Sequence, residues 1–298
     1  MFWQTTRFNI DLTSPKVMGI VNVTPDSFSD GGQHNNAKKA LKHCERLLHW
    51  GADILDIGGE SSRPGALPLS LEEELARVIP VVTEAVKLNV PISIDTYKPE
   101  VMQAVLDLGA DIINDIRALQ WRGDDGGKNQ HATEPNLPSR PLQIVSRHPS
   151  CGVCLMHMHR DPLTMQMEPM EGDVVPKVLL FWELVTQCLR DLGVNNARIV
   201  VDPGIGFGKT ARQNFSLLAR QRELLAAGFP LLVGWSRKSS LAGAVSTSLA
   251  TVASLDTQDR MVPSVAAALL AVERGASIVR VHDVRETVQA LKVLAAIK

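Results

Sequence analysis

The stretch "GADIIND" (residues 109–115) decides the fold, because close copies of it stand at two other places in the chain. "GADILD" covers residues 51–56 and "GASIVRV" covers residues 275–281. In each copy a glycine, which adopts the left-handed helix cap at little cost, precedes a short apolar run. The repeat predicts helices that end at a glycine and are followed at once by a β-strand.

Short apolar runs rich in Val and Ile recur along the whole chain, with amphipathic stretches of helix length between most of them. Nearly continuous hydrophobicity over a few residues is typical of parallel strands that are buried on both faces. Eight such units favour a (β/α)8 TIM barrel of the α/β class, with an open doubly wound sheet as the alternative. The predicted strands are 17–23, 53–59, 91–96, 111–116, 153–158, 198–204, 230–236 and 277–283.

The length of 298 residues suits one α/β barrel, so we expect a single domain over residues 1–298. One connection, residues 118–150, departs from the pattern because it is rich in Gly, Pro, Asn and charge. Only "RPLQIVSRH" (140–148) in it has a helical pattern. Long irregular connections are uncommon in compact domains. We therefore expect 118–150 to be an extended surface excursion, partly disordered, that replaces most of the fourth helix.

Charge and hydropathy argue against several classes of protein. The chain has 31 basic and 32 acidic residues, which gives no indication of a polyanionic partner. No apolar run reaches the roughly 18–20 residues of a membrane helix. The first residues lack the basic-then-apolar layout of a signal peptide. We expect a cytoplasmic protein with neither a nucleic-acid nor a membrane partner.

Polar residues stand at or just beyond the carboxyl end of nearly every predicted strand. The fifth residue after the glycine of each repeat copy is polar, namely Asp56, Asn114 and Arg280. In a TIM barrel this end of the strands carries the chemistry. Any one of them could simply cap a helix or satisfy a loop, and Asp56 is the best candidate for a purely structural role. The others at strand ends are Asn22, Asp95, Asp202, the Ser236-Arg237-Lys238 run and His282.

"DPGIGFGKT" (202–210) resembles a phosphate-binding loop only in part. A P-loop requires a glycine five positions before Gly208, where this chain has Pro203. The dinucleotide-binding pattern requires a glycine where Lys209 stands. The stretch is therefore interpreted as a glycine-rich turn after a strand, in which Asp202 matters most.

Two further motifs could hold a metal. Cys151 and Cys154 form a CxxC, and His157 and His159 alternate along one predicted strand. No second CxxC and no third ligand lies nearby in the sequence, and buried cysteine commonly behaves as a small apolar residue. Burial is the favoured interpretation, with a zinc or redox role as the alternative.

Eight segments at the strand ends form one ordered set. They are "NVTPDSFSDGG" (22–32), "DIGGESSRPGA" (56–66), "SIDTYKPEV" (93–101), "NDI" (114–116), "LMHM" (155–158), "DPGIGFGKT" (202–210), "SRKS" (236–239) and "RVHDV" (280–284). In this order, and over nearly the whole chain, the set resembles the dihydropteroate synthase family. The resemblance implies a TIM barrel that condenses 6-hydroxymethyl-7,8-dihydropterin pyrophosphate with p-aminobenzoate, requires Mg2+ and forms a homodimer.

The resemblance also implies a role for each matched residue. The residues expected to bind the pterin pyrophosphate are Asn22, Ser62, Arg63, Asp95, Asn114, Ile116, Met156, Asp202, Phe207, Lys238, Arg280 and His282, with Asn22 as the Mg2+ contact. The residues expected to bind p-aminobenzoate are Phe28, Ser62, Arg63, Pro64, Phe207 and Ser239. Lys238, Arg280 and His282 are the expected catalytic residues, and no nucleophile is implied.

Some positions depart from the family pattern. Ser62 stands where threonine is usual, Trp235 occupies a place that is usually smaller, and "HRD" (159–161) replaces a glycine-containing turn. Two alternative functions are a corrinoid-dependent methyltransferase barrel and a pterin-binding protein without catalysis. The first would not need "NVTPDSFSDGG" or "SRKS", and the second would not need Lys238, Arg280 and His282 together.

Overall fold

The structure, a computed structural model, describes residues 1–24, 33–63, 65–123, 138–245 and 259–297. Within these ranges the strands are β1 (Phe2–Gln4), β2 (Asn9–Asp11), β3 (Lys16–Asn22), β4 (Ile54–Gly58), β5 (Ile92–Asp95), β6 (Ile112–Asp115), β7 (Gly152–Met156), β8 (Ile199–Asp202), β9 (Leu232–Val233) and β10 (Ile278–Val281). The helices of the same ranges are α1 (Gln33–His49), α2 (Leu71–Ala85), α3 (Pro99–Asp107), α4 (Arg140–Arg147), α5 (Val174–Asp191), α6 (Ala211–Ala219), α7 (Gln221–Leu224), α8 (Ser239–Val245), α9 (Met261–Glu273) and α10 (Val284–Ala296).

Strands β3 to β10 form one parallel sheet in the order β8-β7-β6-β5-β4-β3-β10-β9. A parallel bridge between Val201 and Leu231 joins the two ends of this sheet, and the Val201 N–H donates to the Pro230 carbonyl at 3.1 Å. The predicted TIM barrel is therefore confirmed, and the open doubly wound sheet is wrong. The eight predicted strands correspond to β3–β10, although β9 is much shorter than the predicted 230–236.

The three repeat glycines end helices as predicted. Gly51, Gly109 and Gly275 have φ values of 99°, 93° and 95°. This region favours glycine because a Cβ would meet the neighbouring backbone. Each glycine lies three residues before the first residue of the next strand, so every copy enters the barrel in the same register.

The lower end of the barrel is filled by one layer of apolar side chains. Side chains alternate along a strand, so every second residue points inward. The inward residues at this level are Met18, Ile54, Ile112, Cys154, Val200, Leu232 and Ile278. The β1–β2 hairpin, which the sequence did not predict, adds Trp3 to this layer, and Trp3 Nε1 donates to the Arg198 carbonyl at 2.9 Å. Polar side chains begin one layer higher, towards the carboxyl ends of the strands.

Part of the excursion over residues 118–150 is more deeply buried than the sequence predicted. Ala118 and Leu119 are buried in the main core, with exposed fractions of 3% and 1%. The predicted short helix is present as α4, whose N-cap Ser139 also bonds to the Leu119 carbonyl. Residues 124–137 lie outside the described residues. In its described parts the excursion packs against the barrel wall and supplies a short fourth helix.

The CxxC motif does not form a ligand pair. Cys151 lies in the core between strands and helices, whereas Cys154 lies inside the barrel. His157 and His159 lie beyond the end of β7, and the His157 ring packs edge-on against Phe181. No group of three His, Cys, Asp or Glu side chains in the described part of the chain could hold a metal ion.

Across the described ranges, none of the helices combines the length and the apolar character that a membrane crossing requires.

Candidate active site

The polar residues of the three repeat copies meet inside the mouth of the barrel. Arg280 Nε donates to Asp56 Oδ2 at 2.6 Å, and Asn114 Nδ2 donates to the same oxygen at 3.2 Å. Ser93 Oγ donates to Asp56 Oδ1 at 2.6 Å. Asp56 is fully buried, and both of its carboxylate oxygens accept hydrogen bonds within this set. The repeat therefore builds one connected network, in which Asp56 has the structural role that the sequence favoured.

Arg280 carries this network up to the next level of the mouth. Its Nη2 donates to Asp95 Oδ2 at 2.7 Å. Burial would lower the pKa of Arg280, but the charges of Asp56 and Asp95 outweigh it and raise that pKa. Burial raises the pKa of Asp95 to about 7, although Arg280 opposes the rise. A guanidinium has more N–H donors than these two bonds use, so Arg280 can bind a further anion while it stays paired.

Asp202 ends β8 and faces Lys238 across the mouth. Burial raises the pKa of Asp202 to about 6, opposed by a 2.7 Å hydrogen bond from the Gly204 N–H and by the charge of Lys238. Burial lowers the pKa of Lys238 to about 8, and its Nζ lies 4.2 Å from the centroid of the Phe207 ring. Both groups are thus poorly solvated, and each would be stabilised by a polar ligand that bonds to it.

The glycines after β8 serve close packing. A Cβ on Gly204 would lie 1.9 Å from the His157 carbonyl oxygen, and one on Gly208 would lie 2.4 Å from the His159 carbonyl oxygen. Both glycines also have positive φ values, 66° and 68°. The loop after β8 therefore lies directly on the backbone that follows β7, which only residues without a side chain allow.

Lys209 stabilises this loop through hydrogen bonds to three backbone carbonyls. Its Nζ donates to the carbonyls of Gly204 at 2.9 Å, Phe207 at 3.1 Å and His157 at 3.2 Å. The residue is only 2% exposed, and burial lowers its pKa to about 7. The ammonium group is thus turned into the loop. The interpretation of "DPGIGFGKT" as a turn and not a phosphate loop agrees with this geometry.

An apolar cluster borders the polar mouth. It contains Ile116, Met156 and Phe207, which the sequence singled out together, and also Tyr97 and Met165. Half-buried Trp121, from the excursion, packs on the same cluster. A cavity of about 220 Å3, lined in part by Ile116, Met156 and Trp121, opens beside it. The mouth thus offers flat apolar walls next to a carboxylate, an amide and two cations.

His282 is held by Ser236, a residue without an assigned role in the sequence. The Ser236 hydroxyl oxygen accepts the His282 backbone N–H at 3.1 Å and lies 2.9 Å from Nδ1. Its own proton can then point at Nδ1, which would place the ring proton on Nε2. Burial, together with the charges of Arg237 and Arg280, lowers the pKa of His282 to about 3. The imidazole is therefore neutral, and this tautomer offers an N–H donor.

A model of the pterin binding enzyme family matches residues 18–282. A dihydropteroate synthase of Neisseria meningitidis serogroup B is 46% identical over 300 residues, which cover 99% of this chain and 97% of the relative. The chain belongs to the dihydropteroate synthase family. It is accordingly an enzyme, a transferase.

Solved structures of dihydropteroate synthases share the fold over the full length. A Xanthomonas albilineans dihydropteroate synthase with 4-aminobenzoic acid superimposes with a TM-score of 0.84 at 41% identity, over 100% of this chain and 98% of that chain. A Burkholderia cenocepacia dihydropteroate synthase complexed with 7,8-dihydropteroate gives 0.82 at 43% identity, over 99% and 96%. The resemblance drawn from the strand-end segments is confirmed.

The remaining dihydropteroate synthase motif residues lie around the rim of the mouth. Asn22 is the last residue of β3 and is half-buried. Ser62 and Arg63 follow β4, and the charge of Arg63 contributes to the low pKa of His282. Ser239 is exposed at the first position of α8. Phe28 and Pro64 lie outside the described residues.

Two positions that depart from the family pattern are accommodated by local contacts. Trp235 is 1% exposed and stacks on Phe215, with ring centroids 5.6 Å apart, so it points into the core and away from the mouth. In the "HRD" segment, Asp161 accepts the Thr164 N–H at 2.9 Å and closes a polar turn.

Proposed function

We propose that this chain condenses 6-hydroxymethyl-7,8-dihydropterin pyrophosphate with p-aminobenzoate, giving 7,8-dihydropteroate and pyrophosphate for folate biosynthesis. The observation that carries the proposal is the juxtaposition of a ring-binding set with a leaving-group set in one barrel mouth. Asp202, Asn114 and Lys238 form the first set. Arg280 and His282 form the second.

The ring-binding set suits a pterin. The amino-pyrimidine edge presents adjacent N–H donors, and one carboxylate can accept two of them, as Asp202 would. Asn114 uses its amide N–H on Asp56, which leaves its carbonyl oxygen as an acceptor. Asp95 can accept a further ring N–H, and Lys238 can donate to the ring carbonyl. Met156, Ile116 and Phe207 would contact the ring faces, since they line one cluster.

The leaving-group set suits a pyrophosphate. Arg280 supplies a charged fork, His282 supplies a neutral N–H from Nε2, and Arg63 supplies a second cation from the β4 loop. Such groups stabilise charge as it develops on the departing oxygen. The carbon–oxygen bond breaks with its electron pair leaving on the pyrophosphate, and the resulting methylene cation is delocalised into the dihydropterin ring. The arylamine nitrogen then bonds to that carbon and loses a proton to water or to the departing group, so no protein nucleophile is needed.

The donor set at the mouth fits a Mg2+ ion that is held mainly by substrate. Asn22 offers an amide oxygen, a ligand type that Mg2+ accepts, and the described residues hold no acidic cluster that would bind the ion alone. Phosphate oxygens and water would complete the coordination. When bound, Mg2+ supplies neutralisation of charge on the pyrophosphate.

p-Aminobenzoate would bind where the loops after β3 and β4 meet the mouth. Ser62, Arg63, Phe28 and Pro64 belong to those loops, and Phe207 and the stem of Lys238 offer apolar contact on the barrel side. The Ser239 hydroxyl would hold the carboxylate. On the pattern of the family we also expect a cytoplasmic protein that forms a homodimer. Light scattering after size-exclusion chromatography tests the homodimer.

The proposed function is tested by incubating the purified chain with both substrates and Mg2+. We expect 7,8-dihydropteroate and pyrophosphate in equal amounts, the first identified by mass and the second by the phosphate that added pyrophosphatase releases from it. Pterin binding without product would favour the non-catalytic alternative, and methyl transfer from a folate to a corrinoid would favour the methyltransferase.

Removal of Mg2+ should abolish turnover while pterin binding remains largely intact, because the ion serves the pyrophosphate and not the ring. Titration calorimetry of a pterin without pyrophosphate, with and without chelator, measures the second half of this statement. Excess Mg2+ should restore turnover. An equal loss of pterin binding and turnover would show that the ion has been assigned to the wrong group.

Pterin affinity should depend on pH through Asp95 and Asp202. Burial raises their pKa to about 7 and about 6, and only the ionised carboxylates accept two N–H groups. As the pH falls, affinity should decline below pH 7 and then more steeply below pH 6, approaching about tenfold per unit for each carboxylate. Asp202→Asn should lose the steeper part of this profile. A flat profile in the wild-type protein between pH 8 and pH 5 would contradict both assignments.

A further inference from the structure

A buried cluster of charged and hydrogen-bonding side chains lies at the base of the loop after β4, beside the barrel mouth. Lys98 Nζ contacts the Glu60 carboxylate and donates to Glu74 Oε2 at 2.6 Å. The Tyr97 hydroxyl donates to Glu60 Oε1 at 3.0 Å. We call Glu60, Glu74, Tyr97 and Lys98 the loop anchor.

The loop anchor is more deeply buried than an ordinary surface ion pair. Lys98 is 5% exposed and Glu74 is 1% exposed. Burial would lower the pKa of Lys98, but its hydrogen bonds to Glu60 and Glu74 outweigh it and raise that pKa. Burial and the charge of Glu60 raise the pKa of Tyr97 to about 12, so the phenol keeps its proton and remains a donor. Buried ion pairs of this kind add little net stability compared with apolar packing, which makes a positioning role the better explanation.

Glu60 joins the two ends of the loop that carries Ser62 and Arg63. Its Oε2 accepts the Leu69 N–H at 3.2 Å, so one carboxylate closes the segment from residue 60 to residue 69. Arg77 supports the start of the segment by donating to the Gly59 carbonyl at 3.0 Å. The ends of the loop are thereby fixed, and Ser62 and Arg63 lie on the segment between them.

The anchor also connects this loop to the strand that carries Asp95. Tyr97 and Lys98 follow Asp95 by two and three residues. The Tyr97 ring packs 5.7 Å from the Trp121 ring, and the Arg117 guanidinium lies 4.7 Å from its centroid. From the end of β5, Tyr97 therefore contacts both the β4 loop, through Glu60, and the excursion, through Trp121.

We propose that Tyr97, Lys98 and Glu60 are positioning residues that fix Ser62 and Arg63 over the barrel mouth, and so set the affinity for p-aminobenzoate. They act through the loop and touch no reacting atom. The inference rests on the proposed function, because that function assigns Ser62 and Arg63 to the benzoate and pyrophosphate.

The first test removes only the hydroxyl of Tyr97. Tyr97→Phe keeps the ring contacts with Trp121 and Arg117 but leaves Glu60 short of one donor. We expect the KM for p-aminobenzoate to rise about three- to tenfold, the order of change that the loss of one ordinary hydrogen bond gives, because the effect reaches the substrate only through the loop. The affinity for a pterin without pyrophosphate should not change, because phenylalanine keeps the aromatic ring in its cluster with Ile116 and Met156, and the lost hydroxyl bonds to Glu60 and not to a proposed ring-binding residue. Thr186→Val, which removes a buried hydroxyl from α5, is the matched control and should leave both constants unchanged.

The second test asks whether Tyr97 acts through Glu60. If it does, Tyr97→Phe should add little to the KM effect of Glu60→Gln, whereas independent effects would multiply. The chain holds a single tyrosine, so protein labelled with 3-fluorotyrosine gives one 19F resonance, which reports on Tyr97 alone. That resonance should shift when p-aminobenzoate is added to protein saturated with a pterin and pyrophosphate, and the shift should be much smaller in Glu60→Gln.

The outcomes separate this inference from the proposed function. A wild-type protein that makes no dihydropteroate would contradict the proposed function, independently of the results with Tyr97→Phe and with the 19F resonance. A wild-type protein that turns over normally, with an unchanged KM for p-aminobenzoate in Tyr97→Phe, would overturn the anchor alone. The anchor would also be overturned if the effects on KM multiplied in the Tyr97→Phe, Glu60→Gln double variant, or if the 19F resonance did not shift on addition of p-aminobenzoate.

Discussion

Replacement of Asp202 by asparagine should weaken pterin binding at least roughly tenfold, while pyrophosphate binding stays the same. The carboxylate is expected to accept two N–H groups from the ring, and asparagine would face one of them with a donor. An unpaired buried polar group costs about 1–3 kcal/mol, more where the lost bond was charge-assisted, and about 1.4 kcal/mol is one decade of affinity. Asparagine can still accept the Gly204 N–H, so the loop after β8 should keep its shape.

Lys209→Met is the paired control for the glycine-rich loop. Titration calorimetry of a pterin and of Mg2+-pyrophosphate, with the wild-type protein, Asp202→Asn and Lys209→Met, checks the prediction. Because Lys209 Nζ is occupied by three loop carbonyls, its loss should lower the free energy of unfolding but leave pyrophosphate affinity intact. Unchanged pterin affinity in Asp202→Asn together with lost pyrophosphate affinity in Lys209→Met would restore the phosphate-loop interpretation of "DPGIGFGKT".

Replacement of Arg280 by methionine should lower kcat/KM by about a hundredfold to a thousandfold, the range found when a preorganised donor to a developing anion is removed. Arg280→Lys keeps the charge but not the forked donor geometry, so its kcat/KM should lie between those of Arg280→Met and the wild-type protein. Steady-state kinetics with both substrates measures the effect. A methionine variant within tenfold of wild-type kcat/KM would show that Arg280 serves only the network with Asp56 and Asp95.

Arg280→Met should also lower the free energy of unfolding, by an amount that depends on pH. Methionine leaves Asp56 and Asp95 buried without their cation, and breaking a buried pair by removing one partner costs about 3–5 kcal/mol. The pKa of Asp95 is already raised to about 7 from an ordinary value of 3.8, and without Arg280 it would rise further. The folded variant then binds more protons than the unfolded chain above about pH 4, so its free energy of unfolding should increase as the pH falls from 8 to 5. Urea unfolding at the two pH values measures this change.

The features predicted from the sequence are those set by short-range pattern. The alternation of apolar runs and helices gave eight strands in the right order, because every strand buried on both faces must be apolar throughout. The repeat placed Asp56, Asn114 and Arg280 at one level, since side chains at the same distance from the helix-ending glycine enter the barrel in register. Asp95, Asp202 and Lys238 followed from their positions at strand ends.

The features that the sequence missed depend on contacts between distant segments. The hairpin that places Trp3 under the barrel contains two strands of three residues, too short for a periodic signal. The pairing of Ser236 with His282 joins the ends of β9 and β10, which no local spacing encodes. The loop anchor brings Glu60 to Lys98 across 38 residues. The only signal in the sequence was a lysine three residues beyond a strand end, where it would normally be solvated.

The central claim is that one barrel mouth holds a pterin by Asp202 and its pyrophosphate by Arg280 and His282. The most direct measurement is a crystal structure of the protein with a pterin and pyrophosphate bound. The account predicts the amino-pyrimidine edge within about 2.7–3.2 Å of the Asp202 carboxylate, and phosphate oxygens at the same range from Arg280 and His282 Nε2. A pterin ring whose amino-pyrimidine edge is bound away from the Asp202 carboxylate, or phosphate bound by the backbone of Gly204 to Gly208, would contradict it.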